Sequence, residues 1–487
     1  MKISIKQKLD FGSDEAVVLP IFKDQAMSPV FGAYPELESV FHRVRFNGKA
    51  GGSIVFHSAV HQRLLVVVGA GKGDAGRLVD IIKCAKEVVN TLEHQKIKNA
   101  VLHFVQDVPL SGEFWKSFID FLYISAYSFD RYLSRKEVIR LKELGIYSVS
   151  PLTVEHLTEV LIKRQDCINR SVVMVRDLVN EPPAKVNPDY LVAAFQMLAA
   201  QHKGLTVSVL RKRELLEQNL PGILAVGNAS PYEPALVRVS YRPAQVLKTV
   251  ALVGKGITFD AGGLNIKTGN SMSEMKCDMS GAAAVLGVMS ALPALELPIA
   301  VEAYVPIAEN VVGANGYKPG DILTFRNKKT VEVVNTDSEG RLLLADALIS
   351  AVHDHPDYIV ELSTLTGGVV NALGDDVAGL MGNHKQLIML LLRAGRNTGE
   401  RLWQLPLVDD YKESIKSKIA DLKNCGYGPA HTIKAALFLK EFVSAVPFAH
   451  LDIAGTAFLS KASGFYLREG ATGFGVRLVI EYLGRLS

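Results

Sequence analysis

The chain has 487 residues, and its 54 lysines and arginines against 50 aspartates and glutamates give a formal net charge of +4. Hydrophobic residues make up 48% and charged residues 21% of the composition, which excludes a disordered chain, a collagen-like repeat and a disulfide-stapled mini-domain. A chain of this length is expected to form two or three domains, and its nearly balanced charge neither demands nor excludes an acidic partner such as nucleic acid.

The first eight residues alternate apolar and polar side chains, which indicates a strand and not a secretory signal. Apolar runs such as residues 387–392 are much shorter than the ~20 residues that a membrane-spanning helix needs. The four cysteines are scattered and form no CxxC pair, which favours a reducing compartment. We therefore expect a cytoplasmic protein without a membrane partner.

Strand and helix patterns alternate along the first third of the chain. Residues 64–68 are a continuous apolar run of strand length ended by a glycine, and residues 77–90 then follow a helical pattern. Residues 100–105 indicate another strand, and an apolar helical stripe extends over residues 153–180. Strands that alternate with helices of this length predict an α/β layer.

The second part of the chain repeats this alternation. Buried strands are predicted at residues 250–253, 299–305, 331–334 and 359–362, and helices at residues 281–292 and 341–352. Open α/β sheets bind their ligands at the carboxyl ends of the strands. The residues that follow the predicted strands are therefore the first candidates for a functional site.

Acidic residues collect at these positions. Asp260 follows the first of the predicted strands, Asp278 precedes the helix at 281–292, and Asp337 and Glu339 follow the strand at 331–334. Carboxylates flanked by glycines suit hard or borderline divalent cations. Four carboxylates that converge would repel one another unless positive charge lay between them, and two divalent metal ions would neutralise all four.

Simpler interpretations exist for each acid taken singly. Any one of them could be a helix N-cap or a solvated loop residue, and Asp337 lies where an N-cap would precede the next helix. The basic residues nearby, Lys255, Lys267 and Arg341, could be plain salt-bridge partners of the acids.

The segment from Asn335 to Leu342, Asn-Thr-Asp-Ser-Glu-Gly-Arg-Leu, closely resembles the signature octapeptide of the leucine aminopeptidase family, also called cytosol aminopeptidases. Ser338 stands where relatives often carry alanine. Other blocks resemble the family in the same order: residues 176–182, 254–263, 275–284, 450–455 and 470–478. The resemblance is strong over residues 170–487 and general in character over residues 1–150.

The resemblance implies an α/β fold with two domains. A smaller N-terminal α/β domain, macro-domain-like and variable, would cover residues 1–150 and serve oligomerisation or regulation. A connecting helix would cover residues 151–175. A larger catalytic α/β domain with a central mixed sheet flanked by helices would cover residues 176–487.

The resemblance also implies a two-metal site for hydrolysis of the N-terminal peptide bond. Five residues would hold two divalent metal ions, zinc or manganese with magnesium or cobalt as other options: Lys255, Asp260, Asp278, Asp337 and Glu339. Lys267 would stabilise the oxyanion, and Arg341 would hold a bicarbonate ion that acts as the proton shuttle. The substrate pocket would be lined by Met275, Asn335, Thr364, Leu365, Gly367, Ala454 and Ala457. An apolar pocket of this kind would favour peptides that begin with leucine or methionine.

The resemblance also implies binding partners, and two further sequence motifs suggest alternative sites. The family implies a homohexamer whose substrates are peptides with a free N-terminus, and some bacterial relatives also bind DNA. Residues 71–76 fit GxGxxG with Glu93 downstream, although a glycine-rich turn is favoured over a dinucleotide site. His450 and Asp452 form an HxD pair that is interpreted as a buried, hydrogen-bonded histidine and not as metal ligands.

Overall fold

The computed structural model describes residues 1–9, 15–73, 77–135, 140–463 and 468–486, and these form two compact units. The first unit comprises the described residues up to Asn169 together with Ala462, Ser463 and Arg468, and the second comprises the remainder. The division at residue 169 lies between the predicted limits of 150 and 175. The return of Ala462, Ser463 and Arg468 to the first unit departs from the single boundary that the sequence suggested.

The first unit alternates strands and helices, as its apolar runs predict. Its strands are β1 (Lys2–Ile5), β2 (Ala16–Phe22), β3 (Ser53–Ser58), β4 (Arg63–Gly71), β5 (Asn99–Phe104) and β6 (Glu143–Ser148). Its helices are α1 (Ser28–Ala33), α2 (Glu36–Val44), α3 (Leu78–His94), α4 (Gly112–Ala126) and α5 (Pro151–Val154), and α6 (Glu159–Asn180) begins here and ends in the second unit.

These strands form one sheet within the described residues, in the order β1-β6-β5-β2-β4-β3, and only the β3–β4 pair is antiparallel. Side chains of a strand alternate between the two faces of a sheet. In β4, Val66 and Val68 therefore pack into one buried cluster while Leu65 and Val67 pack into another. The continuous apolar run is explained by burial on both faces.

The second unit is also α/β. Its strands are β7 (Leu205–Leu210), β8 (Ala235–Tyr241), β9 (Lys248–Gly254), β10 (Gly256–Asp260), β11 (Ile299–Asn310), β12 (Ile322–Thr324), β13 (Thr330–Glu332), β14 (Tyr358–Ser363), β15 (Ala378–Gly382), β16 (Leu402–Gln404), β17 (Leu422–Lys423), β18 (Phe448–Asp452), β19 (Phe458–Leu459) and β20 (Gly470–Ala471). Its helices are α7 (Pro188–Gln201), α8 (Lys212–Glu217), α9 (Pro221–Gly227), α10 (Ser280–Leu295), α11 (Gly340–His353), α12 (Gly367–Leu373), α13 (Lys385–Thr398), α14 (His431–Lys440) and α15 (Val476–Leu483), with 3₁₀ helices at Met275–Cys277 and Asp409–Ile415.

The main sheet of this unit is mixed, as expected. Its order is β16-β15-β18-β14-β9-β11-β8-β7 over the described residues, with β10 paired to β11. The central strands β11, β9, β14 and β18 are mutually parallel, so their carboxyl ends meet at one edge. Helices α10 and α11 pack against this central part of the sheet with fully buried faces.

One predicted strand is wrong in its place and extent. Residues 331–334 do not belong to the main sheet, because only Thr330–Glu332 is a strand and it lies in a small sheet of order β12-β13-β17. Val331 and Val333 are nevertheless buried in the same apolar cluster as Leu342 and Leu343 of α11. The apolar alternation was a signal of burial, and burial alone does not say which sheet a strand joins.

A long apolar helical stretch underlies the main sheet. Among the described residues, Met275–Leu295 is the one helical stretch long and apolar enough to cross a membrane. Its most apolar window is 78% buried, and α10 packs on β9 and β14, which is the environment of a core helix. The sequence expectation that every apolar stretch is too short did not anticipate this helix.

Candidate metal centre

The carboxyl ends of the central strands bring the predicted ligands together. Lys255 joins β9 to β10, and its backbone N–H donates to the carbonyl of Leu362 in β14 over 3.1 Å. Asp260 ends β10, and Thr364 directly follows β14. The edge that binds ligands in open α/β sheets therefore carries a lysine, a carboxylate and a hydroxyl.

The remaining acids approach this edge from loops. Asp278 lies between a 3₁₀ helix and α10, and Glu339 is the residue that precedes α11. Asp337 lies two residues before Glu339 in the loop that leaves the small sheet. The N-cap interpretation of Asp337 is not supported, because the N-cap position of α11 is Glu339 and its side chain makes no capping hydrogen bond.

Two lysines hold the four carboxylates in one cluster. The Nζ atom of Lys255 lies 2.8 Å from Oδ1 of Asp278 and 2.9 Å from Oε1 of Glu339. The Nζ atom of Lys267 lies 2.8 Å from Oδ2 of Asp260 and 2.6 Å from Oδ1 of Asp337. Oxygen atoms of Asp260, Asp337 and Glu339 lie within 4.8 Å of one another, close enough to share a metal ion.

Glycine is required where the chain passes close to these groups. A Cβ atom at Gly340 would lie 2.6 Å from Cε and 2.8 Å from Nζ of Lys255, so the first residue of α11 leaves room for the lysine. Gly262 has a φ of +88°, and a Cβ atom there would lie 2.5 Å from the carbonyl oxygen of Asn265. The turn between Asp260 and Lys267 depends on that left-handed residue.

A second layer of polar side chains orients the ligands. Asn310 is fully buried at the end of β11, and its Nδ2 donates to Oδ1 of Asp260 over 2.8 Å and to the carbonyl of Thr336 over 3.1 Å. Asn265 accepts from the backbone N–H of Thr336 over 2.8 Å. These contacts join the loop of Asp260 to the loop of Asp337.

Burial and mutual repulsion perturb the acids. Burial raises the pKa of Asp260, and the Glu339 carboxylate adds to that rise. Burial likewise raises the pKa of Asp278. Burial opposes the charge of Lys255, but the carboxylates of Asp278 and Glu339 outweigh it and raise the pKa of the lysine. The two lysines therefore do not compensate all four acids, and the cluster favours the binding of further protons or cations.

The donor set fits divalent cations. Four carboxyl groups share two lysine ammonium groups in a site where Lys255, Asp260, Asp278 and Glu339 are each at most 3% exposed. Oδ2 of Asp278 is buried and has no hydrogen-bond partner among the described residues. Buried charge of this kind is stable when it coordinates a metal, and oxygen ligands with one amine suit manganese, zinc or magnesium.

Arg341, the second residue of α11, is buried beside this cluster. Burial lowers the pKa of its guanidinium group, while Cys425, Glu339 and Asp452 favour the charge. Its Nε atom is buried without a hydrogen-bond partner in the described part of the chain. The guanidinium is therefore available to an anionic ligand.

Most of the predicted pocket residues lie at this edge of the sheet or are hydrogen-bonded to residues there. Thr364 donates from Oγ1 to Asp278 over 2.8 Å, and its carbonyl accepts from Lys255 over 3.2 Å. The backbone N–H groups of Leu365 and Ala454 both donate to Oδ1 of Asp452, over 3.2 and 3.3 Å. Met275 begins the 3₁₀ helix before Asp278, and Gly367 begins α12. The side chain of Asn335 accepts from the N–H of Asp337 over 2.8 Å. Ala457 is buried, and its N–H donates to the carbonyl of Ile453 in the loop after β18.

The HxD pair divides between two roles. His450 is fully buried on β18 and bonds through Nδ1 to Glu361 on β14, which confirms the buried histidine. Asp452, also fully buried, accepts from the hydroxyl of Thr366 over 2.6 Å in addition to the two backbone groups above. Asp452 thus joins the loop after β14 to the loop after β18, a role that sequence reasoning missed.

The glycine-rich motif of the first unit is only partly visible. Gly71 ends β4, whereas residues 74–76 lie outside the described residues. Glu93, the candidate ribose-binding acid, forms an ion pair with Arg468 over 2.5 Å. That pairing gives Glu93 a structural partner in place of a ligand.

Three further polar residues of the site were not anticipated. Asn310, Tyr317 and Asn424 are buried and hydrogen-bond the backbone of the ligand loops, Tyr317 through its hydroxyl to the carbonyl of Thr336 over 2.7 Å. Asn310 could have been found, because it ends a strand beside Asp260 as the acids were expected to do. Asn424 lies 89 residues after Asn335 in the sequence. The residues around it show no pattern that would predict its contact with the ligand loop.

Two protein-family models match the chain. The model of the cytosol aminopeptidase family, catalytic domain, matches residues 173–480, and the N-terminal domain of the same family matches residues 18–136. A probable cytosol aminopeptidase of Syntrophotalea carbinolica is 38% identical over 96% of each chain. Similar proteins of the same description in Geobacter sp. strain M21 and Vibrio vulnificus are 40% identical over 90% of each chain and 35% identical over 99% of this chain and 98% of the relative.

Solved structures give the same result for the fold. The bottromycin maturation enzyme BotP in complex with Mn superposes with a TM-score of 0.87 at 30% identity, and the match covers 97% of this chain and 100% of that one. A second structure of BotP gives a TM-score of 0.86 at the same identity. The similarity extends over both units and is not confined to the ligand loops.

Proposed function

The chain belongs to the cytosol aminopeptidase family of metallopeptidases, and on that premise we propose that it is a leucyl aminopeptidase that removes leucine, methionine and other apolar residues from the N-terminus of peptides. The observation that carries the proposal is the buried cluster of Asp260, Asp278, Asp337 and Glu339 around two lysines. Such a cluster has no evident structural purpose, because burying uncompensated carboxylates destabilises a fold.

Two divalent cations would be held by five residues. Asp260, Asp337 and Glu339 would bind one ion, and Lys255, Asp260, Asp278 and Glu339 would bind the other, with manganese or zinc as the expected metals. When bound, the cations would lower the pKa of a water and polarise the scissile carbonyl group. Lys255 can bind a cation only as a neutral amine, so the ammonium group that now pairs with Asp278 and Glu339 would lose one proton.

Lys267 would stabilise the oxyanion of the reaction. Burial opposes its charge, but the carboxylates of Asp260 and Glu339 raise its pKa, so that it is an ammonium group at neutral pH. Its side chain is 14% exposed, which allows it to reach a substrate oxygen while water is largely excluded. A fixed donor in such an environment stabilises developing negative charge strongly.

Arg341 would hold a bicarbonate ion. Its guanidinium group is buried, and its Nε atom lacks a partner among the described residues, which suits a small planar anion. Bicarbonate at this position would supply the general base that the side chains of the site do not provide.

The specificity pocket would be formed by the loops after β14 and β18. Thr364, Leu365 and Ala454 are supported by bonds to Asp278 or Asp452, so the walls are held by buried groups. An apolar pocket discriminates modestly, by ~10–200-fold per methylene. We propose that leucine and methionine peptides have a higher kcat/KM than peptides with a charged first residue.

We also propose a cytoplasmic homohexamer, as the family suggests. Support for a reducing compartment comes from the four scattered cysteines, which form no CxxC pair, and from burial, which raises the pKa of the Cys84 and Cys277 thiols to about 12. The hexamer and a DNA-binding role stay predictions. Sedimentation of the purified protein and a gel shift at ~50 mM salt, where phosphate contacts are strong, would test them.

The proposed activity is tested with leucine p-nitroanilide. We expect hydrolysis with Mn²⁺ or Zn²⁺, its loss on chelation, and a fall in kcat/KM of at least about a hundredfold in Glu339→Gln, since that change removes a ligand to both ions. Absence of hydrolysis with either metal, or full activity in Glu339→Gln, would contradict the proposal.

A matched control is available on the same helix. Asp346 is a fully buried acid of α11 whose pKa is raised well above its usual value by burial, and it accepts from the N–H of Ile223 over 2.9 Å. Asp346→Asn changes a buried carboxyl group to an amide as Glu339→Gln does. It should retain metal binding and activity.

A further inference from the structure

Asn424 lies where the chain enters the metal-binding loop. It follows β17, which pairs in parallel with β13, and its backbone N–H donates to the carbonyl of Glu332 over 3.0 Å. The loop of residues 333–339 leaves β13 at this point and carries Asp337 and Glu339. The Asn424 side chain is fully buried beside that loop.

The amide of Asn424 bonds to the loop with both of its ends. Its Oδ1 accepts from the N–H of Val334 over 2.8 Å and from the N–H of Asn335 over 3.3 Å. Its Nδ2 donates to the carbonyl of Asn335 over 2.6 Å and to the carbonyl of Ser338 over 3.3 Å. One side chain therefore spans the backbone on both sides of Asp337.

The segment that follows Asn424 is anchored as well. Lys434 of α14 is buried, and its ammonium group donates to the carbonyls of Tyr427 and, over 3.5 Å, Gly428. The pairing of β17 with β13 fixes the residues before Asn424. Asn424 is thus held from both sides and can impose its geometry on the loop.

We propose that Asn424 is a positioning residue that preforms the metal-binding loop, so that Asp337 and Glu339 reach the ligand cluster before a metal ion binds. The inference rests on the proposed two-metal function. A loop that is not preformed would otherwise lose conformational entropy when the ion binds, and this loss would weaken binding. Residues that orient metal ligands without binding the ion themselves typically contribute 10–100-fold to metal affinity.

The first test compares Asn424→Ala with Gln106→Ala. Gln106 is a matched control, since it is buried in the first unit and its amide also bonds backbone with both ends, accepting from the N–H of Phe22 and donating to the carbonyls of Phe22 and Ala26. We expect both variants to lower the Tm of the metal-free protein. Only Asn424→Ala should raise the Kd for Mn²⁺ in calorimetric titration, by about 10–100-fold. An unchanged Kd in Asn424→Ala, or an equal rise in Gln106→Ala, would overturn the proposal.

The second test needs no variant and applies even where Asn424→Ala does not fold. Hydrogen exchange of wild-type peptides that cover residues 333–339 is measured without metal and with Mn²⁺. A preformed loop has protected amides at Val334 and Asn335 in the metal-free protein. Rapid exchange that slows only with Mn²⁺ would show that the ion, and not Asn424, organises the loop.

These outcomes separate the inference from the function on which it rests. A wild-type protein that binds neither Mn²⁺ nor Zn²⁺ overturns the proposed function together with the inference. Equal Mn²⁺ binding by the wild type and by Asn424→Ala overturns the inference alone.

Discussion

At the scale of single residues, the two units use buried titratable groups in opposite ways. In the second unit, Lys255 keeps its charge because the carboxylates of Asp278 and Glu339 lie within 2.9 Å. In the first unit, His103 has no such acidic partner among the described residues and is held neutral. A hydrogen bond of 2.7 Å joins its Nδ1 to the hydroxyl of Tyr34, and burial together with nearby His61 lowers its pKa to about 4.

The neutral histidine predicts how the stability of the first unit depends on pH. Unfolded histidine has a pKa near 6.5, so between about pH 6.5 and pH 4 the unfolded chain binds a proton that the folded chain does not. Stability contributed by His103 is therefore complete above pH 6.5 and is lost as the pH falls. The expected loss between pH 7 and pH 5 is about 1–2 kcal/mol.

Urea unfolding of His103→Gln measures this contribution. The variant should lose about 1–2 kcal/mol less than the parent protein between pH 7 and pH 5. Buried Trp115 reports on the first unit, and both proteins carry Trp403→Phe so that no second tryptophan contributes to the fluorescence. Equal pH dependence of the two proteins would show that His103 does not titrate on unfolding.

At the scale of elements, the first residue of α11 is in direct contact with a lysine of the metal-binding cluster. Gly340, its first residue, faces the end of the Lys255 side chain, which two ion pairs and burial hold in place. Helix propensity alone predicts that alanine at this position stabilises the helix by up to ~1 kcal/mol. A Cβ atom 2.6 Å from Cε of Lys255 predicts the reverse.

Gly340→Ala should therefore weaken the site. We expect a loss of about 1–3 kcal/mol in the free energy of unfolding and a rise of about tenfold in the Kd for Mn²⁺, because Lys255 must move away from Asp278 and Glu339. Chemical denaturation and calorimetric titration measure the two effects. Gly112→Ala, at a helical glycine of the first unit with open space around it, serves as the control and should leave the Kd unchanged.

The elements also indicate what sequence can predict. Strands β4, β9 and β14 were predictable because continuous apolar runs of strand length arise from burial on both faces of a parallel sheet. The strand at 331–334 was misplaced because an apolar alternation reports burial and not the partner strand. Asp337 and Glu339 nevertheless lie beside Asp260, although the element before them is not a strand of the main sheet.

The residues that hydrogen-bond the ligand loops were less predictable from sequence than the proposed ligands themselves. Carboxylates stand out in a sequence because they are rarely buried without a purpose. Asn310 and Asn424 are ordinary polar residues whose importance depends on the backbone groups that the fold brings to them. That pairing is a property of tertiary structure and leaves no local pattern.

At the scale of the whole molecule, every proposed ligand lies in the second unit, and none lies in the first. A metal ion that binds only the folded state stabilises it by about 2.7 kcal/mol at a hundredfold excess over the Kd. This stabilisation should be concentrated where the ligands lie. The two units are therefore expected to respond differently to metal.

Hydrogen exchange with and without Mn²⁺ tests this difference. Peptides that cover residues 255–278 and 335–341 should gain protection when Mn²⁺ is added, whereas peptides from β4 of the first unit should change little. Equal protection throughout the chain would contradict a site confined to the second unit. Mg²⁺-free buffer with chelator provides the reference state.

The distance of 89 residues between Asn335 and Asn424 has a consequence for the chain during synthesis. At ~5–20 residues per second, a ribosome needs about 4–18 s to synthesise the residues between them. All five proposed ligands therefore leave the ribosome well before Asn424 does. A nascent chain, or one that a premature stop ends between residues 340 and 423, carries the complete ligand set on a loop that lacks its hydrogen bonds to Asn424. Such a chain is expected to bind metal ions more weakly than the finished protein, and full affinity is acquired only late in translation.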